Sequence, residues 1–314
     1  MSVLGQVSLK HGELFTPDLS RLLPATYHFN PSLAVWNGAL WMAYRYVTPR
    51  QGVSLFEWHR EFGVCRLGDD LEPLMESNAD VSGRIRTAGG KRWFADPRLF
   101  LHGKSAWVSY HDDKDLYVFP IDFEQLPERI LPQRLVLVDR ASRSGERNWG
   151  FFDDGAFKAV YSIHPHVVLK LEEYKEQMDA RSLYETEVPI PWNVKRWGEP
   201  HGGSSPVRVG SCWFSFFQSS ARVSRWSKKK VYRMGFYGFD ADPPHKIRFM
   251  SKEPILVADS IGGPWSYYRG HAVVFPSGAL FDDGRWLVSL GIHDRTMAFT
   301  VFGHKRLLES CVKF

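Results

Sequence analysis

Residues 93–100 (WFADPRLF) set a single carboxylate, Asp96, among apolar groups and beside Arg98. Burial raises a carboxyl pKa and a neighbouring guanidinium lowers it, a contest that tunes groups for proton transfer. The plainer role for Asp96 is an Asx turn ahead of Pro97. Similar residues recur at a fixed distance from other tight-turn glycines. Seven residues before Gly103, Gly155, Gly210 and Gly284 stand Asp96, Asn148, Gly203 and Ser277, and the same step from Gly38 lands on Pro31, next to Asn30. Small or polar groups thus occupy places where an apolar strand should begin. Joined by Arg45, Arg147, Trp149 and Asp294, they would make a pocket of carboxylates, amides, guanidinium groups and aromatic faces, a mixture suited to sugar rings.

The elements that would bring these groups together are visible as a repeated phrase, a turn ending in glycine followed by a strand carrying Trp or Phe. Its copies are VWNGALWMAYR (35–45), FLHGKSAWVSYH (100–111), FDDGAFKAVYSIH (152–164), VRVGSCWFSFFQS (207–219) and LFDDGRWLVSLGIHD (280–294). Asn-Gly and Asp-Gly steps are strong hairpin signals because both central positions tolerate positive φ. A short apolar strand precedes each turn and an alternating one follows each second strand. The pattern predicts an all-β fold, a five-bladed β-propeller forming one domain over 1–314, with blades near 27–75, 93–140, 146–190, 200–256 and 270–311. A β-sandwich would supply the short strands but not the recurrent phrase. Only residues 171–181 (LEEYKEQMDAR) carry enough helix formers to predict a helix or a loop excursion.

Composition narrows the classes. With 314 residues and 44 % apolar content, the chain can bury a large core, so disorder is excluded. A formal charge of +5 is too small to argue for nucleic acid. Cys65, Cys212 and Cys311 are odd in number and widely spaced, so neither a disulfide framework nor a zinc site is indicated. No signal-peptide core and no apolar run of membrane length is present, so the expectation is a cytoplasmic protein without a membrane span. Of the weaker signals, AGGKRW (88–93) lacks the spacing of a phosphate loop. His164 and His166 sit at i, i+2 without an evident third metal ligand. RVSRWSKKKVYR (222–233) is the strongest positive cluster, read either as a solvated hairpin or as an arm favouring a phosphorylated donor or an acidic glycan. Trp265, Tyr267 and Tyr268 suit either rim packing or stacking on an outer sugar.

Taken in order, FNPSLA with AYR, ADPRLF, GERNWGFF, VYSIHPHVV, HGGSSPV and HAVVFPSGALFDDG resemble the five-bladed propellers of glycoside hydrolase family 130 and related β-mannosyltransferases. The similarity runs over residues 27–300. It implies inverting cleavage or formation of a β-mannosidic bond with Asp96 as general acid. It implies that Asn30, Arg45 and Asp294 hold the reacting sugar and that Arg147 and Asn148 form a polar cluster at the pocket floor. Tyr232 falls near a position associated with phosphate. Trp149, Arg98, Gly203, Ser204 and His271 complete the expected sugar-binding set, and His164, His166 and Lys170 the cations for phosphate. A His-Arg pair is missing after the third turn, and His201 stands where an arginine is usual, which weakens the case for phosphorolysis.

Water as the attacking group requires a second carboxylate roughly 6.5–9.5 Å from the acid, for which Asp294, Asp153 and Glu146 are available. Inorganic phosphate needs only cations. No cofactor is implied beyond inorganic phosphate or a sugar phosphate as co-substrate, and the expected partners are small carbohydrates. The alternatives are a glycosyltransferase using a sugar-nucleotide or sugar-phosphate donor, and a propeller that binds a glycan without catalysis.

Overall fold

The computed structural model describes residues 7–49, 52, 58–85, 93–112, 114–140 and 148–314. Its strands fall into antiparallel meanders that follow one another along the chain. A short strand, β1 (Leu14–Phe15), precedes the first meander of β2 (Tyr27–Trp36), β3 (Ala39–Thr48), β4 (His59–Leu67) and β5 (Ala79–Asp80). The second comprises β6 (Ala95–His102), β7 (Ser105–His111), β8 (Leu116–Ile121) and β9 (Gln133–Leu137). The third comprises β10 (Gly150–Asp153), β11 (Phe157–Ser162), β12 (His166–Tyr174) and β13 (Gln177–Thr186), and its outer strand pairs in parallel with β9.

A single helical turn, α1 (Val194–Trp197), leads to β14 (Val207–Val209), β15 (Cys212–Arg222), β16 (Lys230–Asp240) and β17 (Ile247–Ser251), with β18 (Leu256–Val257) against β16. The last meander is β19 (Val274–Asp282), β20 (Arg285–Ile292) and β21 (Thr296–Gly303). Helix α2 (His304–Glu309) and β22 (Cys311–Lys313) end the chain. Interval 270–311 therefore lacks an outer strand of its own. That place is taken by β1 against β21, while β22 adds to the fourth sheet beside β17. Strands β1 and β22 thus cover edges that would otherwise present unpaired backbone groups.

The central strands are buried almost continuously rather than on alternate positions, as in β3, because each sheet packs on neighbours at both faces. Aromatic side chains fill the spaces between sheets. Phe214, Phe216 and Phe236 meet Trp286 of the last sheet, and Phe152 of the third packs on Trp213 of the fourth. Each such side chain contributes about 1.5–3 kcal/mol by leaving water.

The first strand of every meander faces a shared centre. A cavity of about 530 Å³ is lined by Val35, Leu101, Phe152, Val207 and Leu280, one residue from each of β2, β6, β10, β14 and β19. Four of these residues stand toward the downstream ends of their strands and Val207 begins the three-residue β14, so the cavity lies toward the end opposite to the beginnings of β2, β6, β10 and β19. The arrangement is all-β and propeller-like.

The helix expected at 171–181 is a hairpin. Tyr174 pairs with Gln177 and Lys175 takes φ 57° between them, while Leu171, Met178 and Ala180 pack into the core with Phe151. Packing overrides the helix propensity of the Glu and Lys residues, whose side chains stay in solvent. Among the described residues no helix is long and apolar enough to cross a membrane, and no group of three or more His, Cys, Asp or Glu is placed to hold a metal.

Candidate active site

The same local irregularity builds the site twice. In β2 the pairing with β3 slips between Phe29 and Ser32, and in β6 the pairing with β7 slips between Ala95 and Arg98. Each bulge contains an Xaa-Pro step, and the residue before proline, Asn30 or Asp96, sits at φ 51° or 52°. A bulge adds a residue on one strand only and re-aims its side chain. Positive φ in a residue other than glycine is a strained geometry held by its surroundings. The Asn30 amide accordingly donates to Asp96 Oδ1 at 2.7 Å.

The second strands supply the charges. Arg45 lies opposite Phe29 on β3, and His111 lies opposite Ala95 on β7, so the two occupy equivalent places in successive sheets. Arg45 Nη1 donates to Asp96 Oδ1 at 3.1 Å, and His111 Nε2 reaches Asp96 Oδ2 at 3.1 Å. The Asp96 side chain remains 19 % exposed, so a ligand can approach it. Burial pushes this carboxyl up, but the His111 hydrogen bond, the Arg45 charge and the Asn30 amide together outweigh burial and hold it well below the usual range. Asp96 is therefore a carboxylate at neutral pH in the free protein.

Asp294 follows the last strand of the axis-facing hairpin, also at positive φ, 53°. It accepts a hydrogen bond from Ser266. Burial and the nearby Asp96 charge raise its pKa, against the Ser266 bond and the charges of Arg45 and Arg60. Asp294 thus lies within electrostatic reach of Asp96, Arg45 and Arg60. Gly291 lies against Asn30, where a Cβ would come within 1.7 Å of Asn30 Oδ1. This position must be glycine for the amide to reach Asp96.

Arg98 is buried and turns away from Asp96 to Asn148 Oδ1 at 2.8 Å and Trp149 O at 3.0 Å. Burial lowers its pKa to about 10 even though the Asp96 charge works the other way. Arg98, Asn148 and Trp149 hold the entry of the third sheet to the second. Gly202 and Gly203 let the chain pass close by, since a Cβ on Gly202 would strike Asn148 O and one on Gly203 would strike Phe216 O. The Ser204 hydroxyl accepts from Phe216 N and meets the Ser215 hydroxyl, so Ser204 is used within its own sheet. Ser277 binds Pro31 O and ties the last sheet to the first bulge. His271 Nδ1 accepts from Lys230 N at 3.3 Å, beside the ring of Tyr232. Burial, with Asp294 and to a lesser degree Asp96, raises the Tyr232 phenol.

Several expected residues stand elsewhere. His166 is 1 % exposed and packs on Tyr237 and Phe239, with both ring nitrogens unpartnered. Burial drives its pKa down to about 3, so it stays neutral and does not offer phosphate a cation. Lys170 sits on the outer part of β12 in an exposed pair with Glu172. His164 lies in the turn between β11 and β12, at the pocket end of its sheet. Asp153 lines the cavity at the far end of the channel and accepts from Gly103 N and Gly155 N, so it cannot oppose Asp96. Arg147 and Glu146 lie outside the described residues, as does most of AGGKRW.

Two residues passed over in the sequence border the site. His111 is one; it ends the second copy of the repeated phrase where Arg45 ends the first, and that alignment is the signal that could have found it. Arg60 of β4 is the other, 3 % exposed, with its guanidinium 3.4 Å from the centroid of the Trp93 ring and 4.5 Å from that of Tyr268. Nothing in the sequence near Arg60 marks it, because its neighbours come from remote loops. Tyr267 stacks on Tyr27 at 4.7 Å, which assigns that tyrosine to rim packing.

No family model matches the chain, and no curated protein sequence does. Solved structures do match over nearly the whole length. The β-1,2-mannobiose phosphorylase of Listeria innocua, in complex with β-1,2-mannobiose, is 14 % identical with a TM-score of 0.60, covering 95 % of this chain and 99 % of that one. A glycosyl hydrolase from Bacteroides ovatus is 13 % identical with a TM-score of 0.59, covering 96 % and 92 %. A structure from the GH130 family of mannoside phosphorylases, described as containing hydrolases that target β-1,2-mannosidic linkages in Candida mannan, is 14 % identical with a TM-score of 0.60, covering 95 % and 96 %. The chain therefore has the fold of the family 130 mannoside phosphorylases and glycoside hydrolases.

Proposed function

We propose that this protein is a carbohydrate-active enzyme built on a five-bladed propeller, making or breaking a β-mannosidic bond with inversion at the anomeric carbon. Asp96 is the proton-transfer group, and Asn30, Arg45 and Asp294 hold the reacting sugar. One observation carries the reading: a carboxylate re-aimed by a bulge near the beginning of an axis-facing strand, gripped by an amide, a guanidinium and an imidazole.

The ionisation of Asp96 favours the synthetic direction. A carboxylate held below its usual pKa is in the base form at neutral pH, which proton acceptance requires, though the same lowering makes it a weaker base. In transfer, an acceptor hydroxyl gives its proton to Asp96 while its oxygen bonds to the anomeric carbon. The C–O bond to the donor phosphate breaks on the opposite face, and the phosphate leaves with the electron pair. In phosphorolysis the same steps run backward and Asp96 must first be protonated. Hydrolysis needs a second carboxylate facing Asp96. Of the described candidates Asp153 is at the wrong end of the channel, and Asp294 is bound to Ser266.

The test is to supply mannose 1-phosphate or a mannose nucleotide with β-mannoside acceptors, and separately β-mannosides with and without inorganic phosphate. Asp96→Asn should lose at least about a thousandfold in rate with sugar affinity retained. An active Asp96→Asn, or no turnover in either direction by the parent protein, refutes the enzymatic reading and leaves a glycan-binding propeller.

A further inference from the structure

Among the described residues the longest hairpin runs from the core out into solvent. Strands β15 and β16 pair without interruption from Cys212 and Asp240 at the core end to Arg222 and Lys230 at the tip end. Its outer half touches the pocket wall. Val231 bridges to Ala272, Lys230 N donates to His271, and Lys229 Nζ stands 5.8 Å from the centroid of the Trp265 ring, one residue before the Ser266 that binds Asp294.

Beyond that wall the chain carries Arg222, Arg225, Lys228, Lys229 and Lys230 within nine residues, and no Asp or Glu occurs between Glu199 and Asp240. These five cations equal the chain's whole formal charge of +5, so the remaining residues balance. Among the described residues none of the five pairs with a carboxylate. At the tip, Trp226 is 82 % exposed and Val223 53 %, with the Arg225 guanidinium 4.5 Å from the centroid of the Trp226 ring.

An exposed indole among cations that no described carboxylate neutralises is suited to an anionic ligand with a ring face. The indole face stacks on the C–H face of a pyranose, and the cations take phosphate or carboxylate. The hairpin continues directly from the pocket wall, through Val231 on Ala272 and Lys230 N on His271, which favours a ligand shared with the pocket over a bilayer. From Tyr232 to the closing Val223–Lys229 contact is three residues, about 10 Å at 3.3 Å per residue, and Trp226 lies beyond it in the turn closed by Ser227 N on Ser224 O, a reach longer than one sugar ring.

We propose that the β15–β16 hairpin is a docking arm for a polyanionic glycan, one bearing phosphate or carboxylate groups along its length, whose end enters the Asp96 pocket. This rests on the reading of the pocket as a glycan-processing site, and it adds the charge and length of the acceptor.

The experiment measures binding by calorimetry with the full-length protein and with a variant carrying Arg225→Gln, Trp226→Ala, Lys228→Gln and Lys229→Gln. The probes are uronic-acid oligosaccharides, phosphodiester-linked mannose oligomers and neutral β-mannan oligomers, each in short and long forms, at low and moderate salt. Long anionic oligomers should bind the parent protein at least about tenfold more tightly than neutral ones, with an affinity that falls as salt rises. The variant should lose that preference and keep its affinity for short neutral oligomers. The two anionic series separate carboxylate from phosphate as the recognised group. Equal affinity for anionic and neutral oligomers overturns the proposal, as does a variant indistinguishable from the parent. Binding to anionic-lipid vesicles that Trp226→Ala abolishes, with no glycan preference, overturns it in favour of a membrane surface. Because binding is read without turnover, a parent protein that binds the anionic oligomers but turns over nothing sinks the enzymatic reading and not the arm.

Discussion

Replacing His111 with phenylalanine keeps a ring in place and removes the donor on Asp96 Oδ2. The His111 and Asp96 side chains are 14 % and 19 % exposed, so solvent replaces little of the lost interaction. A hydrogen bond to a charged group is worth about 1.5–3 kcal/mol, which at 1.36 kcal/mol per pKa unit corresponds to about 1–2 units. The Asp96 pKa should rise by that amount in His111→Phe, with Arg45 and Asn30 still holding Oδ1. The assay is carbon NMR of carboxyl-labelled aspartate across the acid range, with Asp96→Asn identifying the resonance. The acid limb of the transfer rate should move upward with the titration. Stability follows the same sign. A carboxylate with a folded pKa below its unfolded value stabilises the protein above about pH 4 and ceases to do so as pH falls further, and the variant should retain less of this stabilisation. An unmoved Asp96 resonance, or a rate that drops equally at every pH, would refute the reasoning and leave His111 a space-filling residue.

Gly291→Ala should displace the Asn30 amide and lower activity about tenfold or more, and the double variant with Asn30→Ala should be no worse than Asn30→Ala alone. His166 has a folded pKa of about 3, below its unfolded value, so its neutral form stabilises the protein fully above about pH 6.5 and progressively less below it. His166→Phe should therefore flatten the decline in denaturant midpoint between pH 7 and 4.5, a difference of about 2–3 kcal/mol. Lys158 forms a buried pair with Asp154 at 2.6 Å and meets His245 at 3.1 Å. Lys158→Met should cost about 3–5 kcal/mol in chemical denaturation, and adding Asp154→Asn should recover part of it.

The turn glycines and the phrase around them were enough to locate the hairpins, because Asn-Gly and Asp-Gly steps act locally. The same count landed on Asp96 and, in the first repeat, on Pro31 beside Asn30, and the structure shows equivalent bulges at the two places. His166 was misjudged because i, i+2 spacing tells which face of a strand a side chain takes and not what packs on that face; here it is Phe239 of the next sheet. The 171–181 segment misled for the converse reason. Its Glu and Lys residues favour a helix in isolation, while Leu171, Met178 and Ala180 gain more by packing beside Phe151. Closure of the last sheet by the two-residue strand β1 left no periodic trace, since two residues define no period.

What the sequence by itself determined is therefore the local repertoire: tight turns, apolar strands between them, and a polar or small residue near the beginning of each first strand. These depend on backbone preferences that act over a few residues. Only the tertiary structure decided which of the polar residues share a pocket, that Asp96 is ionised, that His111 and Arg60 join it, and that Asp153 faces the opposite end of the channel. Charge interactions fall off with distance and depend on burial, and both are set by how sheets remote in sequence close around a common axis.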